Sequence, residues 1–478
     1  MTASLQSGEP GAVGRRIDEL PGPRALPLVG NMLQIDRLRV HQTMERWSGQ
    51  FGPIFRVRFG RGNVLVVADG AAVSAILRDR PDGFRRPAVT ALVSEEMGGR
   101  HGLVTSEGEA WRSQRRMVMA AFAPQAVKAY FPSLVKVALR LQRRWETAAR
   151  DGTPIALGPD LKRYTVDIIA GLAFGTDVNT IEGGDDVIQR DLDLLLPALA
   201  RRSVALIPYW RWFKLPQDRR LERSVAAIGS AVNQLIIVAR ARLQAEPARR
   251  EQPGNLLEAM LAAADRSDSG VDDDIVAGNV STMLLAGEDT TANSIAWLLY
   301  QLARNPDALR QAQEEVRRLA PDTGALTVTQ IDSLDYLDAC IQESMRLKPV
   351  SPFIPLEALR PSTIAGVDVP AGTLVWCVLR HESVADRHFP NAMQFDPRRW
   401  LSRPDVAGAD KRITLPFGAG PRMCPGRYLA LLEIKVAIAM ILGRFHIERI
   451  DTPDGKEADE RMEFGMFPVD LSMHLRQA

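Results

Sequence analysis

The sequence lacks three features that would each assign it to a class of protein. Its three cysteines, Cys340, Cys377 and Cys424, are too few and too widely spaced for a disulfide framework or a structural zinc site. Its 60 basic and 58 acidic side chains leave a net charge of +2, which gives no reason to expect nucleic-acid binding. No uncharged apolar run approaches the roughly 18 residues typical of a membrane span, so none is predicted.

The N-terminal segment also lacks the apolar stretch of a secretory signal peptide, because charged residues occur among the first twenty positions. The scarcity of cysteine fits a reducing compartment. Together these absences predict a cytoplasmic protein. What the chain does have is material for a large core, since 46% of its 478 residues are hydrophobic and 25% are charged.

Helical signals dominate the chain after residue 69, and β signals are short. Residues 55–59 and 64–68 are predicted to form a β-hairpin, and further short strands are expected within residues 364–378. The sequence contains neither an internal repeat nor a linker long enough to separate domains. It therefore predicts one domain over residues 1–478, mainly α with small β-sheets, in which residues 1–50 form a proline-rich lead-in and a first helix.

Residues 274–304 predict one long helix that is apolar almost all round and therefore crosses the core. Its middle, residues 286–291, reads Ala-Gly-Glu-Asp-Thr-Thr, and glycine, aspartate and threonine are poor residues for a buried helix interior. Thr290 can donate a hydrogen bond to the carbonyl of Ala286 and bend the helix. Such violations often mark a functional site, although a polar patch that faces a neighbour is the alternative.

The most specific stretch is residues 417–426, Phe-Gly-Ala-Gly-Pro-Arg-Met-Cys-Pro-Gly. Its glycines and prolines predict a rigid loop whose backbone can approach a planar ligand. A helix is expected over residues 428–442, so Cys424 precedes a helix N-terminus, where free amides and the positive dipole end favour a thiolate. Arg422 is placed to meet an anionic group. An isolated cysteine would more often be a buried turn residue, but the ten-residue pattern argues against that reading.

This loop resembles the haem-binding signature of the cytochrome P450 family, in which Phe, Gly, Arg, Cys and Gly hold these relative positions. Four further segments match family motifs in the same order along the chain: Trp111 with Arg115, residues 286–291, Glu343 with Arg346, and residues 395–400 with Arg399. The resemblance implies a cytochrome P450 fold in which the long central helix crosses a haem.

The resemblance also implies a role for each matched residue. Cys424 is expected to be the thiolate ligand of the iron in haem b. Further cofactor contacts are expected from Phe417, Gly418, Arg422, Gly426, Trp111, Arg115 and Ala286. The two arginines of this set would form charge-assisted bonds to the haem propionates. Glu343, Arg346 and Arg399 are expected to hold the haem loop in place, although a surface ion pair is the commoner meaning of the Glu343–Arg346 spacing.

The central helix supplies the expected chemistry. A thiolate ligand pushes electron density onto the iron and favours cleavage of the O–O bond, which requires a controlled supply of protons. Thr290 is expected to orient dioxygen and an ordered water, and Asp289 to relay protons. The predicted activity is a monooxygenase that inserts one atom of O2 into a lipophilic substrate such as a fatty acid, terpenoid, steroid or polyketide. A peroxygenase, an isomerase or a haem sensor is the alternative, and the intact acid–alcohol pair favours the monooxygenase.

The resemblance also predicts an apolar substrate pocket. Its expected lining is Met283, Ala286, Phe353, Ile354 and Leu356. The aromatic stretch at residues 207–213 would form either a lid over the entrance or a part of the core. Family members often carry another propionate-binding arginine where this chain has Leu356 and Glu357. Arg360 falls too late in the sequence to be assigned that role.

Electrons are expected from outside the chain. The sequence has no second cysteine cluster for an iron–sulfur centre and no Gly-rich flavin or nicotinamide motif, so a ferredoxin or flavodoxin with its reductase is predicted. Exposed arginines near the cysteine-ligand side would steer an acidic partner, unless they are simply solvated charges. The candidates are Arg112, Arg115, Arg116 and Arg427.

Overall fold

A computed structural model describes residues 14–60, 62–183, 187–205, 207–266, 269–401 and 411–478, and within the helix that begins at Val187 it leaves out the side chains of residues 187–190, 192 and 193. Residues 1–13, on which the signal-peptide prediction partly rests, lie outside the described residues. So does residue 61, in the turn of the predicted hairpin.

The described residues are mainly helical with small sheets, which confirms the predicted fold class. The α-helices are α1 Val40–Phe51, α2 Gly70–Arg78, α3 Ala88–Glu96, α4 Gly108–Ala121, α5 Pro124–Asp151, α6 Leu157–Phe174, α7 Thr180–Gly183, α8 Val187–Ser203, α9 Pro216–Ala245, α10 Leu256–Ala264, α11 Asp273–Arg304, α12 Pro306–Leu319, α13 Val328–Asp332, α14 Asp335–Leu347, α15 Arg380–Ser383 and α16 Arg427–Arg444. The strands are β1 Arg15–Arg16, β2 Ile54–Phe59, β3 Gly62–Val67, β4 Phe84–Arg85, β5 Ile155–Ala156, β6 Phe353–Ala358, β7 Ser362–Ile364, β8 Val367–Val369, β9 Leu374–Val378, β10 Phe445–Asp451, β11 Glu460–Met462, β12 Met466–Pro468 and β13 Ser472–Gln477.

The chain divides into two compact units, each assembled from three separate segments. Unit 1 consists of Met1–Ala88, Gln342–Cys424 and Glu460–Phe467, and unit 2 consists of Val89–Ile341, Pro425–Asp459 and Pro468–Ala478. Both units therefore need segments that are distant in sequence. The prediction of a single domain over the whole chain stays a prediction.

Unit 1 is organised by a five-stranded sheet with the strand order β2-β3-β9-β6-β4. The predicted hairpin is confirmed, since β2 and β3 pair antiparallel with Phe55 opposite Val66. Both faces of the sheet carry buried side chains, because successive residues of a strand point to opposite faces. Leu65 and Val67 pack on one face, whereas Val66 packs on the other.

Unit 2 is organised by α11, which runs unbroken from Asp273 to Arg304 and confirms the predicted central helix. Asp272 caps its first turn by accepting a hydrogen bond from the backbone N–H of Ile275. Helix α6 packs closely against it, and a Cβ atom at Gly287 would lie only 2.5 Å from the Cδ1 atom of Ile169. Glycine at this position therefore permits the close approach of the two helices.

Helix α9 corrects one statement drawn from the sequence. No charged residue occurs between Arg223 and Arg240. By its length and composition α9 could cross a membrane, and 28% of its most apolar 18-residue stretch is buried. Its buried residues recur every three or four positions, as expected for a helix with one face on a protein core. They are Leu221, Ser224, Ile228, Val232, Ile236, Ala239 and Leu243.

Candidate functional site

The loop that contains Cys424 is closed by its own backbone. The N–H of Cys424 donates to the carbonyl of Phe417 at 2.9 Å, and the N–H of Met423 donates to the carbonyl of Gly420 at 3.1 Å. Gly420 has a φ of 68°, and a Cβ atom there would lie 2.6 Å from the Cα atom of Arg78 in α2. Only glycine satisfies both conditions, so the loop has a fixed shape that depends on this residue.

Cys424 differs from the other cysteines in its exposure. Its side chain is exposed, whereas Cys340 and Cys377 are buried, and burial raises the pKa of Cys377 to about 12. Among the described residues, no group of three or more His, Cys, Asp or Glu side chains is arranged to hold a metal ion. The iron of a haem needs few ligands from the protein, because the porphyrin supplies the others. An exposed thiol on a rigid loop fits that cofactor.

Glu343 lies at the centre of a buried hydrogen-bond network in unit 1. Its carboxylate accepts two bonds from the guanidinium of Arg346, at 2.8 and 2.7 Å, and neither side chain has exposed surface. The Nε atom of Arg399 lies 3.3 Å from the same carboxylate. The indole N–H of Trp400 donates to it at 2.9 Å. The sequence predicted the partners Arg346 and Arg399 but missed Trp400.

The burial of this network predicts a large stability effect. Glu343→Gln would leave Arg346 and Arg399 without a compensating carboxylate, and breaking a buried pair in this way costs about 3–5 kcal/mol. Urea unfolding should show the loss as a lower midpoint. Glu109→Gln is the matched control, because Glu109 is exposed and pairs only loosely with Arg112 at 3.4 Å. Equal midpoints for the two variants would contradict the prediction.

The hydroxyl of Thr290 donates to the carbonyl of Ala286 at 2.7 Å, as the sequence predicted. This bond orients the hydroxyl and uses its proton, so its oxygen lone pairs stay available as acceptors. Both residues are partly exposed in the middle of α11. A polar group is therefore held at a fixed point on an otherwise apolar helix.

Asp289 has a partner that the sequence did not reveal. The Nζ atom of Lys162 in α6 lies 2.9 Å from its Oδ1 atom, and about a quarter of each side chain is exposed. Thr165, one turn further along α6, donates to the backbone carbonyl of Glu288 at 3.0 Å. Two bonds from one helix therefore fix this part of α11 and the carboxylate that it carries.

Glu433 in α16 is a further buried acid in unit 2. It is hydrogen-bonded to Thr291 next to the predicted acid–alcohol pair, and burial raises its pKa to about 8. Its Oε1 atom has no hydrogen-bond partner among the described residues. The side chain is therefore largely neutral at pH 7. A single glutamate in a helical stretch gave no sequence signal for this position.

The raised pKa of Glu433 predicts a pH-dependent stability. The folded protein favours the neutral form of Glu433. The contribution of this group to the free energy of unfolding is therefore complete at low pH and is lost as the pH rises towards 8. Between pH 5 and pH 8 the free energy of unfolding of the wild type should fall by on the order of 3 kcal/mol because of this group. In Glu433→Gln this fall should be absent. Melting temperatures of the wild type and this variant across that range would test the effect. The exposed Glu448→Gln should leave the pH profile unchanged.

The other residues predicted to contact the haem have the following positions in the structure. Trp111 is buried and Arg115 is partly buried, four residues apart on one face of α4. Arg422 ends a 3-10 turn that begins at Gly420, and Gly426 precedes α16. Arg360 pairs instead with Asp79 at 2.7 Å on the surface. The propionate contacts stay predictions, and Arg360 has a different partner.

Two of the predicted pocket residues belong to the core of the sheet. Leu356 has no exposed surface and packs with the cluster that contains Leu65. Phe353 packs on the other face, where its ring lies 5.1 Å from that of Trp376. Successive residues of β6 point to opposite faces of the sheet, and the role of both residues in a substrate pocket stays a prediction. Ile354 keeps some exposed surface.

The pocket residues on α11 and the aromatic stretch stay candidates. Met283 is 8% exposed, and Ala286 is partly exposed. Trp210 is buried, and its indole N–H donates to Glu96 at 2.8 Å. Trp212 is 70% exposed and Phe213 is 57% exposed. The stretch therefore combines a packed aromatic with two exposed ones, and its role as a lid stays a prediction.

A helical fold with a rigid, exposed cysteine loop and an acid–alcohol pair on a central helix defines a haem-thiolate protein. Residues 20–474 match the family described as Cytochrome P450. The chain belongs to the cytochrome P450 family, which confirms the predicted family, the enzyme class and haem b as the cofactor. The roles of individual residues stay predictions.

Relatives and solved structures agree with this assignment. A carotene epsilon-monooxygenase, chloroplastic, of Arabidopsis thaliana is 28% identical over 94% of this chain and 83% of the relative. The self-sufficient cytochrome P450 monooxygenase CYP505E4 of Penicillium expansum is 27% identical over 96% of this chain, which spans only 44% of that relative. The crystal structure of a cytochrome P450, CYP102L1, has a TM-score of 0.80 at 26% identity and covers 96% of this chain and 99% of its own. The cytochrome P450DA heme domain, at 23% identity and a TM-score of 0.83 over 97% of this chain and 99% of its own, shows the fold.

The cytoplasmic location stays a prediction. The carotene epsilon-monooxygenase and the protein LUTEIN DEFICIENT 5 of Arabidopsis thaliana are both named as chloroplastic. The latter is 28% identical over 83% of this chain and 68% of the relative.

Proposed function

We propose that this protein is a monooxygenase that inserts one oxygen atom from O2 into a lipophilic organic substrate. The observation that carries the proposal is the polar centre of α11. There the hydroxyl of Thr290 is fixed on the carbonyl of Ala286 at 2.7 Å, beside a carboxylate of Asp289 that Lys162 holds at 2.9 Å. Such departures from the residue types of an apolar core helix often mark a functional site.

The chain's own residues would divide the work in the following way. Haem bound through the thiolate of Cys424 supplies the iron and the electron density for cleaving the O–O bond. The partly exposed carboxylate of Asp289 takes up protons from solvent at its Oδ atoms and passes them inwards. The Thr290 oxygen, whose proton is committed to Ala286, accepts a hydrogen bond from an ordered water and holds that water in place.

A haem-thiolate peroxygenase or isomerase is the second candidate, and a haem sensor is the third. Neither consumes protons from solvent as the reduction of O2 by a monooxygenase does, so neither accounts for the ion pair between Asp289 and Lys162. The measurement that separates them is the amount of product formed per electron consumed, in the presence and absence of added hydrogen peroxide. Product that required peroxide and no reductant would favour the second candidate.

The substrate proposed is a fatty acid, terpenoid, steroid or polyketide. The relative named carotene epsilon-monooxygenase supports a terpenoid, and the apolar side chain of Met283 on α11 supports a lipophilic substrate. The test is a binding screen that follows the haem absorption as a ligand displaces iron-bound water. Dodecanoate, a monoterpene and a steroid should shift the spectrum at micromolar concentrations. A spectrum that responded only to small charged molecules would overturn the lipophilic substrate.

The electrons are proposed to come from a separate ferredoxin or flavodoxin with its reductase. Arg112 is partly exposed and Arg116 is exposed on α4, and they lie 3.4 and 3.7 Å from the acid Glu109. Two positive charges and one negative charge therefore lie together on this face, which can attract an acidic partner. Because a relative is named self-sufficient, turnover without an added partner is the alternative outcome. Turnover with NADPH should need an added ferredoxin or flavodoxin system, and turnover by this chain alone would contradict the proposal.

A further inference from the structure

A cavity lies in unit 2 between α6, α9 and α11. Its volume is about 350 Å³. We call it the α6–α9 cavity, and its lining is Val166, Ala170, Phe174, Thr176, Val178, Ile228, Ala231, Val232, Gln234, Leu235, Val238, Ala239, Arg242 and Leu284. Almost every member of this lining is aliphatic or aromatic. A cavity of this size and composition is typical of sites that bind small organic molecules.

The α6–α9 cavity is separate from the proposed reaction site. Leu284 is the residue of α11 that reaches it. Successive residues of an α-helix are rotated by about 100°, so Ala286 and Thr290 are separated from Leu284 by roughly 160° and 120° around the helix axis. Gly287, whose side faces Ile169 of α6, lies on the same face as Leu284. A ligand in the cavity would therefore contact a face of α11 other than the one that carries Ala286 and Thr290.

Arg242 gives the α6–α9 cavity a single positive charge. Its side chain is 41% exposed, and its Nη1 atom lies 4.0 Å from the Oε1 atom of Glu258. Glu258 is already held by closer donors, the backbone N–H of Gly254 at 2.8 Å and the side-chain amide of Asn255 at 3.1 Å. The guanidinium of Arg242 is therefore only loosely engaged and can bind a carboxylate. Gln234 and Thr176 add neutral polar groups to the lining.

We propose that the α6–α9 cavity is a second ligand site, which binds an aliphatic amphiphile with a terminal carboxylate. The chain lies against the apolar residues of α6 and α9 and against Leu284, and the carboxylate pairs with Arg242. Binding at this site does not require the monooxygenase reaction, so this proposal does not depend on the proposed function. A molecule bound in it leaves the haem absorption unchanged, which distinguishes it from a ligand that displaces iron-bound water.

The test uses decanoate and the purified haem-loaded protein. Equilibrium dialysis counts the bound decanoate, and a parallel titration records how much of it shifts the haem spectrum. For each molecule of wild-type protein, dialysis should count one more bound decanoate than the number that shifts the haem spectrum. Ala231→Trp places a large side chain into the cavity and should abolish this additional molecule, with the spectral titration unchanged. A wild type that binds no spectrally silent decanoate, or an Ala231→Trp variant that retains it, would overturn the site.

Arg242→Gln tests the ligand class with a surface substitution that leaves the apolar lining intact. The affinity for the spectrally silent decanoate should fall about tenfold, as expected for the loss of one charge-assisted pair. The affinity for decanol should not change. Arg219→Gln, at an exposed position on α9 away from the cavity, is the control and should bind both as the wild type does. Equal losses for decanoate and decanol would exclude recognition of a carboxylate.

Discussion

Thr290→Ala is expected to lower the product formed per electron consumed by about tenfold or more, while haem binding and the overall fold are preserved. The hydroxyl that donates to Ala286 at 2.7 Å is lost, and with it the acceptor that would hold an ordered water for proton delivery. Electrons should then leave as hydrogen peroxide. The measurement is the ratio of product to NADPH consumed, with peroxide determined in the same sample.

Two variants separate this role from a general disturbance of α11. Thr282→Ala removes a hydroxyl that makes the same kind of bond, to the carbonyl of Gly278 at 2.8 Å, two turns earlier in the helix. It should keep the wild-type ratio of product to NADPH. Thr290→Ser retains the hydroxyl and should recover most of that ratio. If Thr290→Ala stayed as well coupled as Thr282→Ala, proton delivery through Thr290 would be wrong.

Cys424→His is expected to abolish product formation and to remove the thiolate-type absorption band of the reduced carbon monoxide complex. The imidazole would lie on the same closed loop, since the bond from the backbone of residue 424 to Phe417 does not depend on the side chain. A neutral imidazole does not push electron density onto the iron as a thiolate does. Haem content and the carbon monoxide difference spectrum of the purified variant provide the measurement.

The control for this variant is Cys340→Ala. Cys340 is buried, and its replacement changes the core without touching the loop, so it should keep the thiolate-type band even if its melting temperature falls. Cys424→Ala provides a second comparison, since it offers the iron no ligand at all. A thiolate-type band in either Cys424 variant would rule out Cys424 as the ligand.

Several parts of the candidate site followed from spacing along one helix or one loop. The bond between Thr290 and Ala286 joins residues four apart, and the pair of Glu343 and Arg346 joins residues three apart. Helix geometry makes such residues neighbours whatever surrounds them. The shape of the cysteine loop was predictable for a similar reason, because glycines such as Gly420 allow backbone conformations and close approaches that other residues do not.

Other parts depended on how the elements pack. Lys162 meets Asp289 only because α6 lies against α11, and these residues are 127 positions apart in the sequence. Leu356 has no exposed surface because the pairing of β6 with β9 places it in the core of the sheet. Burial alone gives Glu433 its raised pKa. None of these outcomes has a signal in the local sequence.

The family, the haem cofactor, the thiolate candidate Cys424 and the acid–alcohol pair of Asp289 and Thr290 follow from the sequence alone, because each motif that carries them consists of residues close together along the chain. Only the packing of the folded chain shows which charges are paired, which apolar residues are core, and where the α6–α9 cavity lies. Those properties arise when distant segments exclude water from one another, and the side chains that then become neighbours share no fixed spacing.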